Sequence, residues 1–340
     1  MSSDGANTLR WSDLVDQAAN VLCEKLGGDR RQEARWLVER VSGYESSDLI
    51  VNAGELVSTR SVARFDQMLG RRGSGEPLQY VLGRWQFRAL ELYVDSNVLI
   101  PRPETEIVAG LAIGAALAVR DRPPLIADLG TGSGAIALSV ASEVPTAQVW
   151  ATDLSPGALR VARANAGGLG RRGANVTTLE GSWFEPLPRG LLGQLDVVVS
   201  NPPYIGEDER AGLPAEVRDW EPHLALFADD EGRAHVAHLI DVAPTWLRPG
   251  GSLVIEMAPR RRSGPLNGRG RSVTQRSASS RTSRAANVRF SQFSSRGNPE
   301  RARSLVGPAS RPTTSQTPTK THSEPSPNRG GDSFDGRALR

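Results

Sequence analysis

The 340-residue sequence predicts an α/β protein built on an open, parallel sheet, and three observations predict it. Five apolar runs, LIADLG, QVWATDLS, NVTTLEGSWF, LDVVVSNPPY and GGSLVIEMAP, recur between Pro123 and Pro259. Helical patterns, AIALSVASEV and PGALRVARANA, stand between the first three of them. A glycine-rich turn follows the first run and a proline-rich turn ends the fourth. Continuous Val/Ile/Leu runs that alternate with helices are the signature of strands buried on both faces.

The elements follow in chain order. Over residues 1–74, Leu14, Val15, Ala18, Ala19, Leu22 and Cys23 repeat at helical spacing, as do Trp36, Leu37 and Val41. Gly27-Gly28 and Ser42-Gly43 interrupt them, so a small N-terminal helical domain is the economical reading. Over 75–100 the period changes. Leu78, Tyr80 and Leu82 alternate, then Trp85, Phe87, Leu90, Leu92 and Val94 continue, which predicts a β-hairpin linking two domains. The sheet domain occupies 101–259. Beyond Pro259 the pattern stops: 46 of the 81 residues in 260–340 are Arg, Ser, Gly or Pro. Such a segment cannot bury enough surface to offset its ordering entropy, and a disordered tail is expected.

Charge divides at the same seam. Residues 1–259 carry a net −10 and residues 260–340 a net +13, so the overall basic balance describes the tail. An enzyme of nucleic acids is expected to show a basic face on its folded part, and this composition offers none. Cys23 is the sole cysteine, which excludes an intramolecular disulfide and a cysteine zinc site. His235 and His238 lack a third ligand nearby in sequence and predict a helix-surface pair rather than a metal site. The opening MSSDGANTLR has no apolar signal core. The run Ile107 to Val119 falls short of the roughly 20 residues that span a bilayer. A soluble, cytoplasmic protein is the expectation.

Three motifs carry chemistry. Asp128-Leu129 leads into Gly130-Thr131-Gly132-Ser133-Gly134 at the end of the first run. Glycines there let the backbone pass close under a ligand at the carboxyl edge of a sheet. A dinucleotide fingerprint would read G-x-G-x-x-G; here the third glycine comes one residue early and Ala135 takes its place. That spacing suits the tighter loop that holds S-adenosylmethionine, which has no pyrophosphate. Asp153 ends the second run, 19 residues after Gly134, where a carboxylate accepts both ribose hydroxyls of a nucleoside. Ser155 and Pro156 then start a helix, so Asp153 also reads as a helix-start residue. Asn201-Pro202-Pro203-Tyr204 closes the fourth run. The Asn201 side-chain oxygen and the Pro202 carbonyl both accept hydrogen bonds, so together they grip one –NH2 group. Two acceptors pulling on an amide nitrogen localise its lone pair, and Tyr204 stacks on the planar group. Held in line with a sulfonium methyl, that nitrogen needs orientation and electrostatics to react.

With these motifs the sequence resembles amino-methyltransferases that act on a planar nitrogen, adenine-N6 enzymes of DNA included. Narrower marks resemble the bacterial protein-(glutamine-N5) methyltransferases of peptide chain release factors. They are the run Gly75-Glu76-Pro77-Leu78-Gln79-Tyr80-Val81-Leu82-Gly83, Phe87, the run Val98-Leu99-Ile100-Pro101-Arg102-Pro103-Glu104-Thr105-Glu106, and Glu221 to Phe227. The resemblance covers about residues 10–258. It implies a Rossmann-like class I methyltransferase sheet, S-adenosyl-L-methionine as cofactor and the glutamine of a Gly-Gly-Gln motif as acceptor. It also implies that Gly130 to Gly134 wrap the methionine part, Asp153 holds the ribose and Trp183 sits beside the adenine. Asn201 to Tyr204 would hold the substrate glutamine, with Asn201 also near the cofactor; Asn201, Pro202 and Tyr204 are the expected catalytic set. Glu104 and Glu106 read as first-turn acids behind Pro103, favoured by the helix dipole. No metal, membrane or direct nucleic acid is expected, and the protein should work as a monomer.

The family continues past its fifth strand with a further helix and an antiparallel strand pair. Here Arg260-Arg261-Arg262 begins unrelated sequence, so those strands read as missing and the fifth strand as an unpaired edge. The chain holds 39 Arg and two Lys, Lys25 and Lys320. A GC-rich gene read out of frame gives such a composition, and we read residues 260–340 as frame-shifted, which resequencing the gene tests. Two alternatives remain: an adenine-N6 or ribosomal-protein glutamine methyltransferase, or a truncated chain that binds without turnover.

Overall fold

The computed structural model describes residues 9–228 and 233–257, and the backbone of 287–292. Five helices come first: α1 (Trp11–Leu26), α2 (Arg31–Ser42), α3 (Ser46–Val51), α4 (Thr59–Gly73) and α5 (Leu78–Leu82). Leu14, Leu22, Leu37, Val38 and Phe65 are fully buried in one cluster, whereas Cys23, counted in the same period, is exposed because it lies one position past the inward face at Leu22. Helix α2 stops where Gly43 turns left-handed at φ 78° and sends its N–H to the Glu39 carbonyl. Glycine takes that conformation without the Cβ penalty.

Helix α5 corrects the sequence reading. The alternation of Leu78, Tyr80 and Leu82 predicts a strand, yet Pro77 and a left-handed Gly83 bracket a single helical segment. Its residues are buried on two sides: Leu78, Val81 and Leu82 join the helical cluster, while Tyr80 packs with Val94, Val98 and Ile100. A helix wedged between two cores is apolar around most of its circumference, so its period disappears. The hairpin itself is β1 (Trp85–Phe87) against β2 (Leu90–Leu92). At its tip Arg88 holds a positive φ of 51°, and its N–H donates to Glu106 at 3.0 Å. The Arg88 guanidinium meanwhile pairs with Glu143 at 2.7 Å.

Helix α6 (Thr105–Leu117) leads into the sheet, which is formed by β3 (Leu125–Leu129), β4 (Gln148–Asp153), β5 (Val176–Glu180), β6 (Leu195–Ser200), β7 (Leu247–Met257) and β8 (Asn287–Gln292). Helices α7 (Ala135–Glu143), α8 (Pro156–Gly168), α9 (Ala215–Trp220), α10 (His223–Leu226) and α11 (Ala234–Trp246) lie between them in sequence. Strand order is β5-β4-β3-β6-β7-β8, with every neighbouring pair parallel. Alternate residues of the strands feed two cores. Ile126, Val197, Val199 and Val254 pack under α6 and α7, whereas Leu129, Val198, Leu253 and Ile255 pack under α11. The chain runs outward from β3 to β5 and then crosses back to β6. Between β3 and β6 lies the switch point where open α/β sheets bind ligands.

Two expectations for the C-terminal part change. Residues 287–292 form β8 within the segment expected to be disordered, in register from Ser252↔Asn287 to Met257↔Gln292. The β7 edge, expected to be unpaired, is therefore covered, by a parallel strand and not by an antiparallel pair. The physical reason is that the β7 backbone offers a row of donors and acceptors, and Val288 and Phe290 give this short segment strand propensity. The remaining residues of 260–340 lie outside those described. Among the described residues, no helix is long and apolar enough to cross a membrane.

Candidate functional site

The expected site residues gather along one edge of the sheet, at the carboxyl ends of β3, β4, β5 and β6. The glycine loop leaves β3 with Gly130, Gly132 and Gly134 all at positive φ (72°, 57° and 83°). Gly130 and Thr131 donate their N–H groups to the Thr152 carbonyl, each at 2.9 Å, which ties the loop to β4. The Gly132 N–H donates to Asp153 at 2.8 Å. Asp153 takes a second N–H, from Ser155 at 2.9 Å, so the helix-start role expected for it is present. The Leu154 N–H also favours the charged form, and since a carboxylate has about four lone-pair positions, capacity for one further donor is left. Burial raises its pKa above the usual carboxylate range, against the pull of these backbone bonds.

Beneath the loop, Asp128 is fully buried. One of its oxygens accepts from the Thr131 hydroxyl at 2.7 Å and from the Ala137 N–H at 3.1 Å, and the other has no hydrogen-bond partner. Burial, with Asp153 nearby, pushes its pKa up to about 6. Sequence reasoning passed over Asn165 on α8. Its side chain donates to the Ser133 carbonyl at 2.9 Å and exchanges hydrogen bonds with the Tyr93 backbone at 2.7 and 3.0 Å, joining loop and hairpin.

Trp183, past the end of β5, adopts φ 46°, one of two non-glycine residues described at positive φ. A side chain larger than glycine's at 130 would meet its ring, at 3.4 Å from the Cβ position. The Trp183 carbonyl accepts from the Thr152 hydroxyl at 2.9 Å, holding the strained turn. His235 stacks obliquely on this indole at 5.2 Å between centroids, and His238 approaches Phe184 at 6.4 Å. The two histidines thus have aromatic neighbours, and no group of three metal-ligating side chains gathers among the described residues.

The Asn-Pro-Pro-Tyr turn leaves β6 next to β3, where Ser200 donates to the Leu129 carbonyl at 2.6 Å. A cavity of about 170 Å³ opens there, lined by Leu99, Arg102, Asn201, Pro202, Tyr204 and Val217 among others. Its size is comparable to the roughly 150 Å³ cavity that accepts a benzene ring. Pro203 is absent from its wall. The Asn201 amide nitrogen donates to the Thr105 hydroxyl at 3.1 Å. Burial, reinforced by Glu256, pushes the Tyr204 phenol up to about 12, so it stays neutral near pH 7 and serves as a flat, uncharged wall. Glu221 is buried, pairs with Arg102 and accepts from the Ile100 N–H at 3.2 Å. The two quoted segments around Arg102 and Glu221 are thereby locked together at the cavity rim.

The chain is similar to known proteins. The PrmC N-terminal domain model matches residues 13–83, and the methyltransferase small domain model matches residues 115–213. A release factor glutamine methyltransferase from Geobacter sulfurreducens is 37% identical over 244 residues, spanning 72% of this chain and 82% of that protein. The Streptomyces coelicolor enzyme of the same name is 45% identical over 196 residues, 58% of this chain and 68% of that one. The Moorella thermoacetica enzyme is 44% identical over 229 residues, 67% and 78%. An N-terminal helical part, a glycine loop pinned to Asp153, an Asn-Pro-Pro-Tyr cavity and this degree of identity have one explanation: the chain belongs to the release factor glutamine methyltransferase family.

Proposed function

We propose that the protein methylates the N5 amide nitrogen of the glutamine in the Gly-Gly-Gln motif of peptide chain release factors. S-adenosyl-L-methionine is the cofactor, and the residues present suit it. The buried, unpartnered oxygen of Asp128 is available to an ammonium, Asp153 has capacity for a ribose hydroxyl, and the glycines shape the loop between them. Trp183 offers an aromatic face for an adenine. When bound, this cofactor supplies a methyl group activated by a sulfonium centre.

The observation that carries the reading is the Asn201 amide at the cavity wall. Its nitrogen is engaged by Thr105, so its oxygen is the free end and accepts from a substrate –NH2 group. The Pro202 carbonyl is the second acceptor on that group. Two acceptors orient the substrate nitrogen and concentrate its lone pair toward an incoming methyl, a task of positioning and electrostatics. Tyr204, Leu99 and Val217 exclude water around it and pack on the planar amide. Formation of the carbon–nitrogen bond would be matched by loss of the methyl–sulfur bond and release of a neutral thioether, and the nitrogen, made more acidic, would give up one proton. In this reading residues 1–74 serve substrate recognition, residues 75–100 link, and residues 101–259 transfer the methyl group. The protein acts as a cytoplasmic monomer that needs neither membrane nor nucleic acid.

The test is methyl transfer from labelled cofactor to an unmethylated release factor. Label should appear on the native factor and vanish when its Gly-Gly-Gln glutamine is alanine. An Asp153→Ala variant should bind cofactor at least about tenfold more weakly, since each hydrogen bond to a charged group contributes roughly 1.5–3 kcal/mol. Label on DNA, RNA or a ribosomal protein instead would replace the acceptor assigned here.

A further inference from the structure

The segment from Pro101 to Glu106 holds an unassigned residue between two acids. Thr105, the first residue of α6, is buried, and its hydroxyl touches two groups at once. It accepts from the Asn201 amide nitrogen at 3.1 Å, and it lies close enough to the Glu256 carboxyl on β7 to favour that group's ionised form. Glu256 follows the apolar run Leu253 to Ile255 of β7, is 3% exposed, and has one carboxyl oxygen with no hydrogen-bond partner. A buried carboxyl with an unmet oxygen is costly, so its presence beside the site calls for a role.

We propose that Thr105 and Glu256 are positioning residues that fix which way the Asn201 amide points. The chemistry of the three groups forces the direction. A carboxylate only accepts, so the single hydroxyl hydrogen of Thr105 goes to Glu256. Only oxygen lone pairs then face Asn201, which must present its –NH2 to Thr105 and its oxygen to the cavity. That is the polarity that grips a substrate –NH2 group. A neutral Glu256 permits the reverse. Its own O–H donates to Thr105, the Thr105 hydrogen is released toward Asn201, and the flipped amide offers –NH2 to another –NH2. The relay rests on the glutamine reading of the cavity.

Burial raises the Glu256 pKa to about 7; the Thr105 bond and Arg102 oppose this and Glu104 adds to it. Tyr204 is the further titratable group facing it, and it stays neutral. Methyl transfer should therefore rise with pH through about 7 as Glu256 ionises.

The experiment compares Thr105→Val, Thr105→Ser and Glu256→Gln with the wild type. In 15N-labelled protein without substrate, hydrogen exchange of the Asn201 side-chain amide should be slow in wild type and Thr105→Ser. It should be at least about tenfold faster in Thr105→Val. In the methyl-transfer assay, Thr105→Val should lose about tenfold in kcat, the scale of one oriented hydrogen bond. Cofactor affinity should stay unchanged, the melting temperature should fall by a few degrees because buried polar groups lose a partner, and Thr105→Ser should restore both the rate and the melting temperature. Glu256→Gln should flatten the rise with pH. Equal amide exchange in wild type and Thr105→Val, or a Thr105→Ser variant as slow as Thr105→Val, would overturn the relay. Wild-type protein that methylates no release factor would overturn the glutamine reading, while the exchange comparison still decides how Asn201 is held.

Discussion

Replacing Asn201 by alanine is expected to slow methyl transfer by about 10²- to 10³-fold, the scale seen when one preorganised polar group leaves an active site. In the proposed grip the amide supplies one of two acceptors for the substrate nitrogen, and the residue follows a strand whose every position is buried. The platform therefore survives while the grip fails. Cofactor affinity, read by calorimetry, should move less than threefold, and single-turnover kinetics should carry the whole loss. Asn201→Asp is the sharper comparison. It keeps the shape and an acceptor for the substrate, yet it sets a second carboxylate beside Thr105, whose one hydrogen already serves Glu256. It should do no better than alanine at pH 8. An Asn201→Ala enzyme within tenfold of wild type would remove Asn201 from the chemistry.

The largest stability effect is expected at Arg72. This arginine on α4 is 2% exposed, and its fork reaches three acceptors: Glu33 at 2.7 Å, Glu216 at 2.7 Å and the Glu76 carbonyl at 3.0 Å. Burial opposes its charge, and the two carboxylates outweigh burial, so its pKa stands above the ordinary arginine value. Arg72→Ala strips the largely buried Glu33 of one of its two arginine partners, leaving it Arg30 alone, and breaks the pair with Glu216, a change that costs about 3 kcal/mol. At roughly 2–4 °C per kcal/mol for a domain of this size, the melting temperature should fall by about 10 °C. Arg72→Lys should recover little, because an ammonium cannot reach all three acceptors in one plane. Glu216 precedes Val217, which lines the cavity, so the loss should also raise KM for the release factor more than it changes kcat. A melting temperature within 2 °C of wild type would show the cluster to be ornamental.

The sheet was legible because its central strands are continuous apolar runs; Leu195 to Ser200 is buried at every position and could be nothing else. The glycine loop, Asp153 and the Asn-Pro-Pro-Tyr turn were legible because each is a local pattern at a strand end. Helix α5 was misread because contact on two sides erased its period. Strand β8 was passed over because a short Arg- and Ser-rich surround hides Val288 and Phe290. Thr105 lies between Glu104 and Glu106, whose charges dominate the local sequence pattern. Its partners lie 96 and 151 positions away, at Asn201 and Glu256, and only the parallel sheet brings those strand ends to the start of α6. Asn165 was invisible for the same reason.

Asp128 and Glu256 also make the ligand-free site a small ion exchanger. Burial raises both carboxyls, to about 6 and about 7, above the values they have in an unfolded chain. Between the ordinary carboxylate range and about pH 7 the folded protein thus carries more protons than the unfolded one, and its stability falls as pH rises through that window. A cationic ligand end settling against Asp128 favours the ionised form, so a proton must leave as the cation arrives. The heat of cofactor binding near pH 6 should accordingly differ between buffers of different ionisation enthalpy; identical heats in phosphate and in a histidine buffer would mean that no proton is displaced.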